Sequence, residues 1–260
     1  IVIHEQNARP GLANKVGARN AKVVALTFPS SPLKARNGHT VVTGLPLRAA
    51  IAELADRRAD AQGAAQARRE AAERLGVNPD APTLLVTGGS LGALHVNESM
   101  TGAADALPEG TQVVHLTGRG KDEAVRAAVE AAGLSDRWYV IDYLTTMEDA
   151  LAVADLVVCR SGAGTVAEME ALGLPCIYVP LPIGNGEQRL NAADHVAAGG
   201  AQLIDDKDFT ADFVRRNVFP LLGSARLEDM AAASQSLGRA GAARALADLA
   251  LEQVKEAGHE

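Results

Sequence analysis

A glycine-rich turn that runs into a helix with an early carboxylate is the part of this sequence best suited to chemistry. The stretch 159–175, CRSGAGTVAEMEALGLP, follows the apolar run 154–158. Glycines let a backbone approach a ligand closely, and a helix N-terminus offers unpaired N–H groups and a partial positive charge. Together they predict a bound phosphate. Glu168 shares a helix face with Thr165 and Gly164, which suits a hydroxyl acceptor spaced away from that phosphate.

A second turn of the same kind, TGGSLGA at 87–93, also follows an apolar strand and opens a helix. Its Ser90 hydroxyl and neighbouring N–H groups would add donors for a phosphate. In open α/β sheets, ligands bind at the carboxyl ends of the strands, where both turns are predicted to lie. Two alternatives stay open: a tight strand-to-helix turn without ligand at 87–93, and a Glu168 that only complements the helix dipole.

A third segment, PLPIGNGEQRLNA at 180–192, combines a Pro/Gly loop with a polar helix start. Glu187 and Asn191 are four residues apart and share one helix face, and Gln188 lies beside them. A cluster of carboxylate and amide groups suits a hydroxyl-rich sugar. A capped helix start without ligand fits the same residues.

The composition excludes several classes of protein. Lys and Arg number 25 against 32 Asp and Glu, a net charge of −7, which argues against a nucleic-acid partner. The two cysteines, Cys159 and Cys176, suit a reducing compartment and lack metal-ligand spacing. No apolar run reaches the roughly 18 residues of a membrane span. We therefore expect a soluble cytoplasmic protein.

The elements that must position these segments follow from the alternation of β-branched runs and alanine-rich stretches, which is typical of parallel α/β sheets. We predict nine strands: IVIHE, KVVALTF, TVVTG, TLLVTGG, TQVVHLTG, WYVIDY, ADLVVCRS, PCIYVPLP and AQLID. We predict helices near 11–19, 49–75, 92–106, 121–132, 146–153, 164–172, 187–198 and 210–220, with 55–75 exposed to solvent, and a helical tail from about 225.

Six of these strands, from Thr83 to Asp205, would complete one doubly wound sheet, and the three before them look like the end of another. We therefore divide the chain into an N-terminal unit at 1–44, a ligand-binding unit at 45–224 and a C-terminal helical segment at 225–260 that packs back on the first. The sequence opens on IVIHEQN, a strand already under way, and this favours a chain from which upstream residues are missing.

Five ordered motifs resemble a known family: HEQNARPGLANK, GLPLR, TGGSLGA, CRSGAGTVAEMEALGLP and PLPIGNGEQRLNA. They resemble the bacterial N-acetylglucosaminyltransferases of peptidoglycan synthesis, the MurG family, and most closely its actinobacterial members. The resemblance implies a GT-B fold, two Rossmann-like domains facing a cleft, with the N-terminal acceptor domain incomplete here and the donor domain at 45–224.

The family transfers N-acetylglucosamine from UDP-GlcNAc to the C4 hydroxyl of the muramoyl sugar of lipid I, with inversion, and forms lipid II. The resemblance thus implies UDP-GlcNAc and lipid I as partners and a peripheral position at the cytoplasmic face of the cell membrane. It implies no cofactor and no metal, because helix dipoles and hydroxyls stabilise the leaving diphosphate.

The resemblance also assigns site residues. Glu168 matches the ribose-binding glutamate, Arg48 a donor-site arginine, and Leu144 the residue whose main chain holds uracil, with Met147 nearby. Ser90 and Thr165 match residues that contact the phosphates. Ala163 and Gly164 belong to the same turn as Thr165 and are assigned to the site with it.

On the sugar side, Gln188 matches one of a glutamine pair that contacts the sugar hydroxyls, with Asn191 one helical turn further on. Glu187 stands where the family's pattern has the other glutamine, so the sugar contacts differ there. Asn7 belongs to the acceptor-side cleft near the donor sugar.

The family's first glycine-rich loop, G-G-T-G-G-H, carries a histidine proposed to act in catalysis, and it would lie upstream of Ile1. No catalytic residue is therefore assigned, the membrane-contacting surface would lie in the missing part, and we expect this chain alone to transfer sugar poorly. Two alternatives stay open. One is a UDP-GlcNAc 2-epimerase or another GT-B glycosyltransferase, and the other is a nucleotide-binding half-protein that needs a separate acceptor subunit.

Overall fold

The computed structural model describes residues 1–89, 91–239 and 241–257, which form two parallel β-sheets with helices packed around them. All nine predicted strands are present. They are β1 Val2–Glu5, β2 Val23–Leu26, β3 His39–Val42, β4 Thr83–Thr87, β5 Gln112–Leu116, β6 Trp138–Ile141, β7 Leu156–Cys159, β8 Cys176–Tyr178 and β9 Ala201–Leu203.

Strand order places the glycine-rich turns. The first sheet has the order β1-β2-β3 and the second the order β6-β5-β4-β7-β8-β9, with every pairing parallel. In the second sheet the order reverses between β4 and β7, the switch point at which doubly wound sheets bind ligands. These two strands are neighbours and end side by side, so the described residues of the two glycine-rich turns that follow them lie at the same edge of the sheet.

Helices connect the strands, and their bounds are α1 Leu12–Gly17, α2 Ala49–Arg57, α3 Ala61–Leu75, α4 Leu94–Thr101, α5 Glu123–Ala131, α6 Met147–Val153, α7 Ala163–Leu172, α8 Glu187–Asn191, α9 Ala193–Ala198, α10 Ala211–Phe213, α11 Ala225–Gln235 and α12 Ala242–Ala257. Within the described residues, no helix is both long enough and apolar enough to cross a bilayer.

The single helix predicted over 49–75 is wrong, because the chain forms two helices there. Asp60 adopts an extended conformation and its side chain accepts a hydrogen bond from Gly63 N at 2.9 Å, so it caps a new helix, α3. This helix is also less exposed than predicted: Ala67, Ala71 and Ala72 are buried against α6 and the core.

The second sheet is covered on both faces, which explains its continuous apolar strands. Alternate residues of β4 point to opposite sides: Leu85 joins the core cluster that includes α3, α6 and α7, whereas Leu84 and Val86 join the cluster that includes α4, α5 and α11. β7 divides in the same way. Because both faces are packed, the binding edge between these strands has a rigid base.

A buried polar network fixes α4 to the second sheet. Trp138 Nε1 donates to His115 Nδ1 at 3.3 Å, so the proton of the neutral ring lies on Nε2, which donates to Asn97 Oδ1 at 3.0 Å. Asn97 Nδ2 then donates to Thr117 O at 3.1 Å. Complete burial lowers the pKa of His115 to about 3, which keeps the ring neutral. The network therefore positions the helix that follows the first glycine-rich turn.

The tail of the chain crosses from one sheet to the other. In α11, the Ser234 hydroxyl lies 2.7 Å from His195 Nε2, and the opposite ring nitrogen lies 2.9 Å from the Tyr178 hydroxyl in β8. Burial lowers the pKa of His195 to about 4, so this ring is also neutral. α11 packs on α7 and α9, whereas α12 lies against β1. The division at residues 44 and 224 stays a prediction, and the tail contacts both units.

The turn after β4 depends on close backbone contact. Gly92 has φ +67°, and a Cβ there would lie 2.1 Å from Thr117 O. Gly118 closes the same contact from the other side, since its own Cβ would lie 2.5 Å from Gly92 Cα. Only glycine at both positions lets the loops after β4 and β5 touch.

We expect Gly92→Ala to destabilise the fold by roughly 2–4 kcal/mol, because it adds a clash with backbone to the cost of a left-handed residue. Gly120→Ala is a matched control, since Gly120 has φ +69° and a Cβ there would meet no atom within 4 Å. The control should lose only about 1 kcal/mol. Urea unfolding of both variants measures the difference, and equal losses would refute the contact.

Glu170 is a partly buried acidic residue where α7, α9 and the tail meet. Its Oε1 has no hydrogen-bond partner among the described residues. Burial, and to a lesser degree Asp194, raises the pKa of Glu170 to about 7, against the smaller opposing effect of Arg239. Asp194 itself accepts hydrogen bonds from Ser30 N at 3.2 Å and from Ser30 Oγ at 2.9 Å, which ties α9 to the first sheet.

This burial predicts how stability depends on pH. The unfolded carboxyl has a pKa of 4.5, so between that value and about 7 the native state holds a proton that the unfolded state has lost. The free energy of unfolding therefore falls as the pH rises through this range. Glu170→Gln removes the effect and should stabilise the protein by roughly 1–3 kcal/mol at about pH 8, with little gain at about pH 4. Urea unfolding at both pH values is the measurement.

The matched control is Glu130→Gln, on the exposed surface of α5. It should leave the difference between the two pH values unchanged. A Glu170→Gln variant with the same pH profile as the wild type would contradict the assignment.

Candidate functional site

A solvent-open cavity of about 230 Å³ lies at the switch point of the second sheet. Strand ends form its base: Thr87 ends β4, Leu116 ends β5 and Cys159 ends β7. Five of the residues predicted for the site line this one cavity, namely Arg48, Leu144, Met147, Thr165 and Glu168. The structure therefore brings together residues that are as much as 120 positions apart in the chain.

An ion pair joins two of these residues across the cavity. Arg48 donates from Nε at 3.1 Å and from Nη2 at 2.9 Å, both to Glu168 Oε1. No described residue donates to Oε2 of Glu168 in a hydrogen bond. The Glu168 side chain is 16% exposed and that of Arg48 is 57% exposed. The acid is thus fixed by one oxygen, and its second oxygen is available to a hydroxyl group.

Glu168 is held in a balance between burial and charge. Burial raises the pKa of its carboxyl, and the Coulomb attraction and hydrogen bonds of Arg48 act in the opposite direction. A carboxylate in this setting gains from any donor that approaches it, because a polar group out of water is costly until it is hydrogen-bonded. This is the setting expected of a residue that accepts vicinal sugar hydroxyls.

The start of α7 supplies the donors of the site. Gly162 is the N-cap in an extended conformation and no side chain caps the helix, so its first N–H groups have no helical acceptor. The predicted contact residues Ala163, Gly164 and Thr165 form this first turn. Gly164 is exposed, and a Cβ there would meet nothing within 4 Å. An anion therefore has open access to the positive end of the helix.

A buried arginine missed by sequence reasoning stands next to that turn. Arg160 lines the cavity, and its Nη1 donates to Val179 O and Pro180 O, each at 3.0 Å. It also forms an ion pair with Asp206 in which both side chains are largely buried, at 14% and 15% exposure. The only signal in the sequence was its position directly after β7. The pair holds a guanidinium beside the anion site without leaving its charge unpaired.

The opposite wall is apolar and contains a second feature that sequence reasoning missed. Leu144 and Met147 are both partly buried against the core, at the start of α6. Next to them Tyr143 is exposed, and the guanidinium of Arg119 lies 3.9 Å from its ring centroid, a cation–π contact. An aromatic residue directly before Leu144 was the available signal. This wall suits the flat face of a base.

The residues predicted for the sugar lie outside the cavity lining. Glu187 and Gln188 lie in α8, and Gln188 Oε1 accepts from Leu181 N at 2.9 Å. Asn191 is fully buried. Asn7 lies on the loop after β1 and its N–H donates to Glu5 Oε1 at 3.0 Å. Ser90 lies outside the described residues. The sugar contacts stay predictions.

Among the residues that the structure describes, no group of three or more His, Cys, Asp and Glu side chains is arranged to hold a metal ion. What the geometry offers is a helix N-terminus, two arginines and one carboxylate with a free oxygen. These groups can bind the phosphate and hydroxyl groups of a nucleotide.

Comparisons with known proteins agree with this geometry. Residues 83–249 match the model of the glycosyltransferase family 28 C-terminal domain. A protein from Bifidobacterium adolescentis, named UDP-N-acetylglucosamine–N-acetylmuramyl-(pentapeptide) pyrophosphoryl-undecaprenol N-acetylglucosamine transferase, is 50% identical over 236 residues, which are 85% of this chain and 60% of that protein. A protein of the same name from Streptomyces coelicolor is 45% identical, over 98% of this chain and 66% of its own length.

Among solved structures, MurG from Acinetobacter baumannii superposes with a TM-score of 0.75 at 28% identity, covering 95% of this chain and 65% of that one. The calicheamicin glycosyltransferase CalG4 superposes with a TM-score of 0.59 at 19% identity, over 91% of this chain and 55% of its own, which supports the fold alone. The chain thus spans about 60–66% of the length of these MurG-type relatives.

These comparisons confirm two predictions from the sequence, the family and the parallel-sheet fold of GT-B glycosyltransferases. The family model begins at the first residue of β4 and extends into α12, so it contains the whole second sheet and the turn with Glu168. The chain belongs to glycosyltransferase family 28.

Proposed function

We propose that this chain forms the donor-binding part of an inverting glycosyltransferase that moves N-acetylglucosamine from UDP-GlcNAc to the C4 hydroxyl of the muramoyl sugar of lipid I, which yields lipid II. The names of the relatives at 45–50% identity support the reaction. The observation that carries the proposal for this chain is Glu168, with one oxygen on Arg48 and the other free, beside the uncapped start of α7.

In the proposed complex the nucleotide lies across the cavity. Uracil contacts the main chain of Leu144 and the side chain of Met147, and the ribose hydroxyls donate to Glu168. The diphosphate lies at the first turn of α7, near Thr165, with Ser90 of the turn after β4 as a further donor.

The chemistry needs charge stabilisation at the leaving group. As the acceptor oxygen bonds to the anomeric carbon, the bond from that carbon to the diphosphate breaks, and its electron pair stays on the phosphate oxygen. Preorganised N–H groups at the start of α7 stabilise this charge without reorganising, and the guanidinium of Arg160, already oriented by its ion pair with Asp206, lies nearby. The proton of the acceptor hydroxyl passes to a base that we assign to no residue of this chain.

The proposal also places the donor sugar and the acceptor. We place the N-acetylglucosamine near Gln188, Glu187 and Asn7, on the segments that follow β8 and β1. An acceptor carried on undecaprenyl diphosphate, as in the names of the relatives, would place the enzyme at the cytoplasmic face of the cell membrane as a peripheral protein. The surface that contacts the membrane would then lie outside the second sheet.

A second candidate has support from one observation. The apolar side chains of Ile1, Leu12 and Val16 are 70%, 79% and 53% exposed, next to β1 at the edge of the first sheet. Large apolar side chains exposed on a strand end and on the helix beside it favour further polypeptide packing there. If that polypeptide were a separate acceptor subunit, this chain would be a nucleotide-binding half-protein. Size-exclusion chromatography with that subunit added, followed by a transfer assay, separates the two cases.

Calorimetric titration with UDP tests the site. Glu168→Ala removes the proposed ribose acceptor and should weaken UDP binding by roughly 1–3 kcal/mol, about 5- to 150-fold in Kd. The control Glu130→Ala, on the far surface of α5, should bind like the wild type. An unchanged affinity in Glu168→Ala would remove Glu168 from the site, and a wild type that binds no UDP would remove the site itself.

The balance at Glu168 predicts a pH dependence. Because burial raises the pKa of Glu168, lowering the pH through that pKa protonates the carboxylate and removes a hydroxyl acceptor, so UDP affinity should fall. Arg48 holds the pKa down, and in Arg48→Ala the decline should therefore begin at higher pH. Titrations with UDP over a series of pH values measure this shift. Parallel profiles for both proteins would show that the ion pair does not control the acid.

A further inference from the structure

The carboxamide of Asn191 is buried and joins three chain segments that are far apart in sequence. Its Oδ1 accepts from Ala8 N at 2.9 Å. Its Nδ2 donates to Asn7 Oδ1 at 3.3 Å and to Ser161 O at 3.4 Å. The residue is 0% exposed. These bonds connect the loop after β1, the end of α8 and the turn that opens α7.

These contacts use the whole hydrogen-bonding capacity that the site permits. A primary amide has one acceptor oxygen and two N–H donors. In Asn191 the oxygen is taken by Ala8, and the two N–H groups are directed at Asn7 and Ser161. The oxygen keeps a second lone pair, but the complete burial of the side chain closes the access of a sugar hydroxyl to it.

The other end of the same loop is fixed by a second buried group. Glu5 is 3% exposed, and its carboxylate accepts from Asn7 N at 3.0 Å, from Gly11 N at 3.0 Å and from Asn14 Nδ2 at 2.9 Å. The Asn7 backbone is therefore held from the first sheet by Glu5, and its side chain is held from the second sheet by Asn191. With two anchors from different elements, one orientation of Asn7 is selected.

We infer that Asn191 is a positioning residue: it fixes Asn7 against the turn that opens α7 and is not itself a ligand of the sugar. The inference rests on the proposed function in one respect, that Asn7 faces the donor sugar. It explains why this position needs an amide, because aspartate would set a carboxylate oxygen against two acceptors and leucine would leave the Ala8 N–H without a partner.

Hydrogen exchange of the ligand-free protein, followed by NMR, tests the contact directly. In Asn191→Ala the Ala8 amide loses its acceptor and should exchange roughly tenfold faster or more, while Val158 and Ile177 in the central strands keep their protection. Asn191→Ser, with a hydroxyl that can bond to its own helix, should do the same and serves if the alanine variant folds poorly. Asn217→Ala, an exposed asparagine far from the cleft, should change neither.

Unchanged exchange at Ala8 would overturn the inference. Faster exchange at Val158 and Ile177 to the same degree as at Ala8 would overturn it as well, since Asn191 would then serve the fold in general. This measurement needs no ligand, so its result stands whether or not the proposed function is correct.

A double-mutant cycle separates positioning from direct binding. The readout is the preference for the sugar, the Kd for UDP divided by the Kd for UDP-GlcNAc, in Asn7→Ala, Asn191→Ala and the double variant. If Asn191 acts through Asn7, the double variant loses no more than Asn7→Ala alone, within about twofold. If Asn191 binds the sugar itself, the two losses multiply, and this outcome would overturn the inference. A wild type with no preference for UDP-GlcNAc would instead count against the proposed sugar site.

Discussion

The uncapped first turn of α7 is the constraint on which the site depends. Its free N–H groups have to face an open edge of the sheet, and the reversal of strand order between β4 and β7 creates that edge. The helix cannot move away, because β7 is buried on both faces and because α7 packs on α2 and α11. The other groups that line the cavity, among them Arg160, Glu168 and Leu144, lie around this positive helix end.

The charged groups at the anion end of the cavity are paired, and this determines what they can do. Arg160 is neutralised by Asp206 and Glu168 by Arg48, so neither pair adds a net charge to the cleft. An incoming diphosphate meets fixed dipoles and a guanidinium that is already oriented. Preorganisation of this kind costs its reorganisation energy during folding and not during binding. The stability of the network is therefore part of the site.

Much of this architecture could be predicted from the sequence, because it is encoded locally. Buried parallel strands are continuous apolar runs, and all nine were found; the glycine turns that mark the binding edge follow directly from them. The helix break at Asp60 was missed, since a cap signal inside an alanine-rich stretch is weak against the helix propensity around it. The burial of α3 depends on α6, which is more than seventy positions further along the chain.

The sequence could predict which residues form the site, but not which of them pair with each other. Glycine, threonine and glutamate at the start of α7 indicated a nucleotide, and the resemblance added Arg48, Leu144 and Met147. That Arg48 would pair with Glu168, or Arg160 with Asp206, depends on contacts between distant segments. Asn191 shows the limit most clearly: its residue type and helix face suggested a sugar ligand, whereas the structure buries its amide among backbone and side-chain partners.

The crossing of the tail has a mechanical consequence. Gly44 follows the last strand of the first sheet, and it packs so closely on the tail that a Cβ there would lie 3.1 Å from Arg239 Cβ and 3.3 Å from Ala242 Cβ. The polypeptide thus passes between the two layers twice, at neighbouring points. Because the two passages lie side by side, any displacement of one sheet relative to the other has to change the backbone at both of them together.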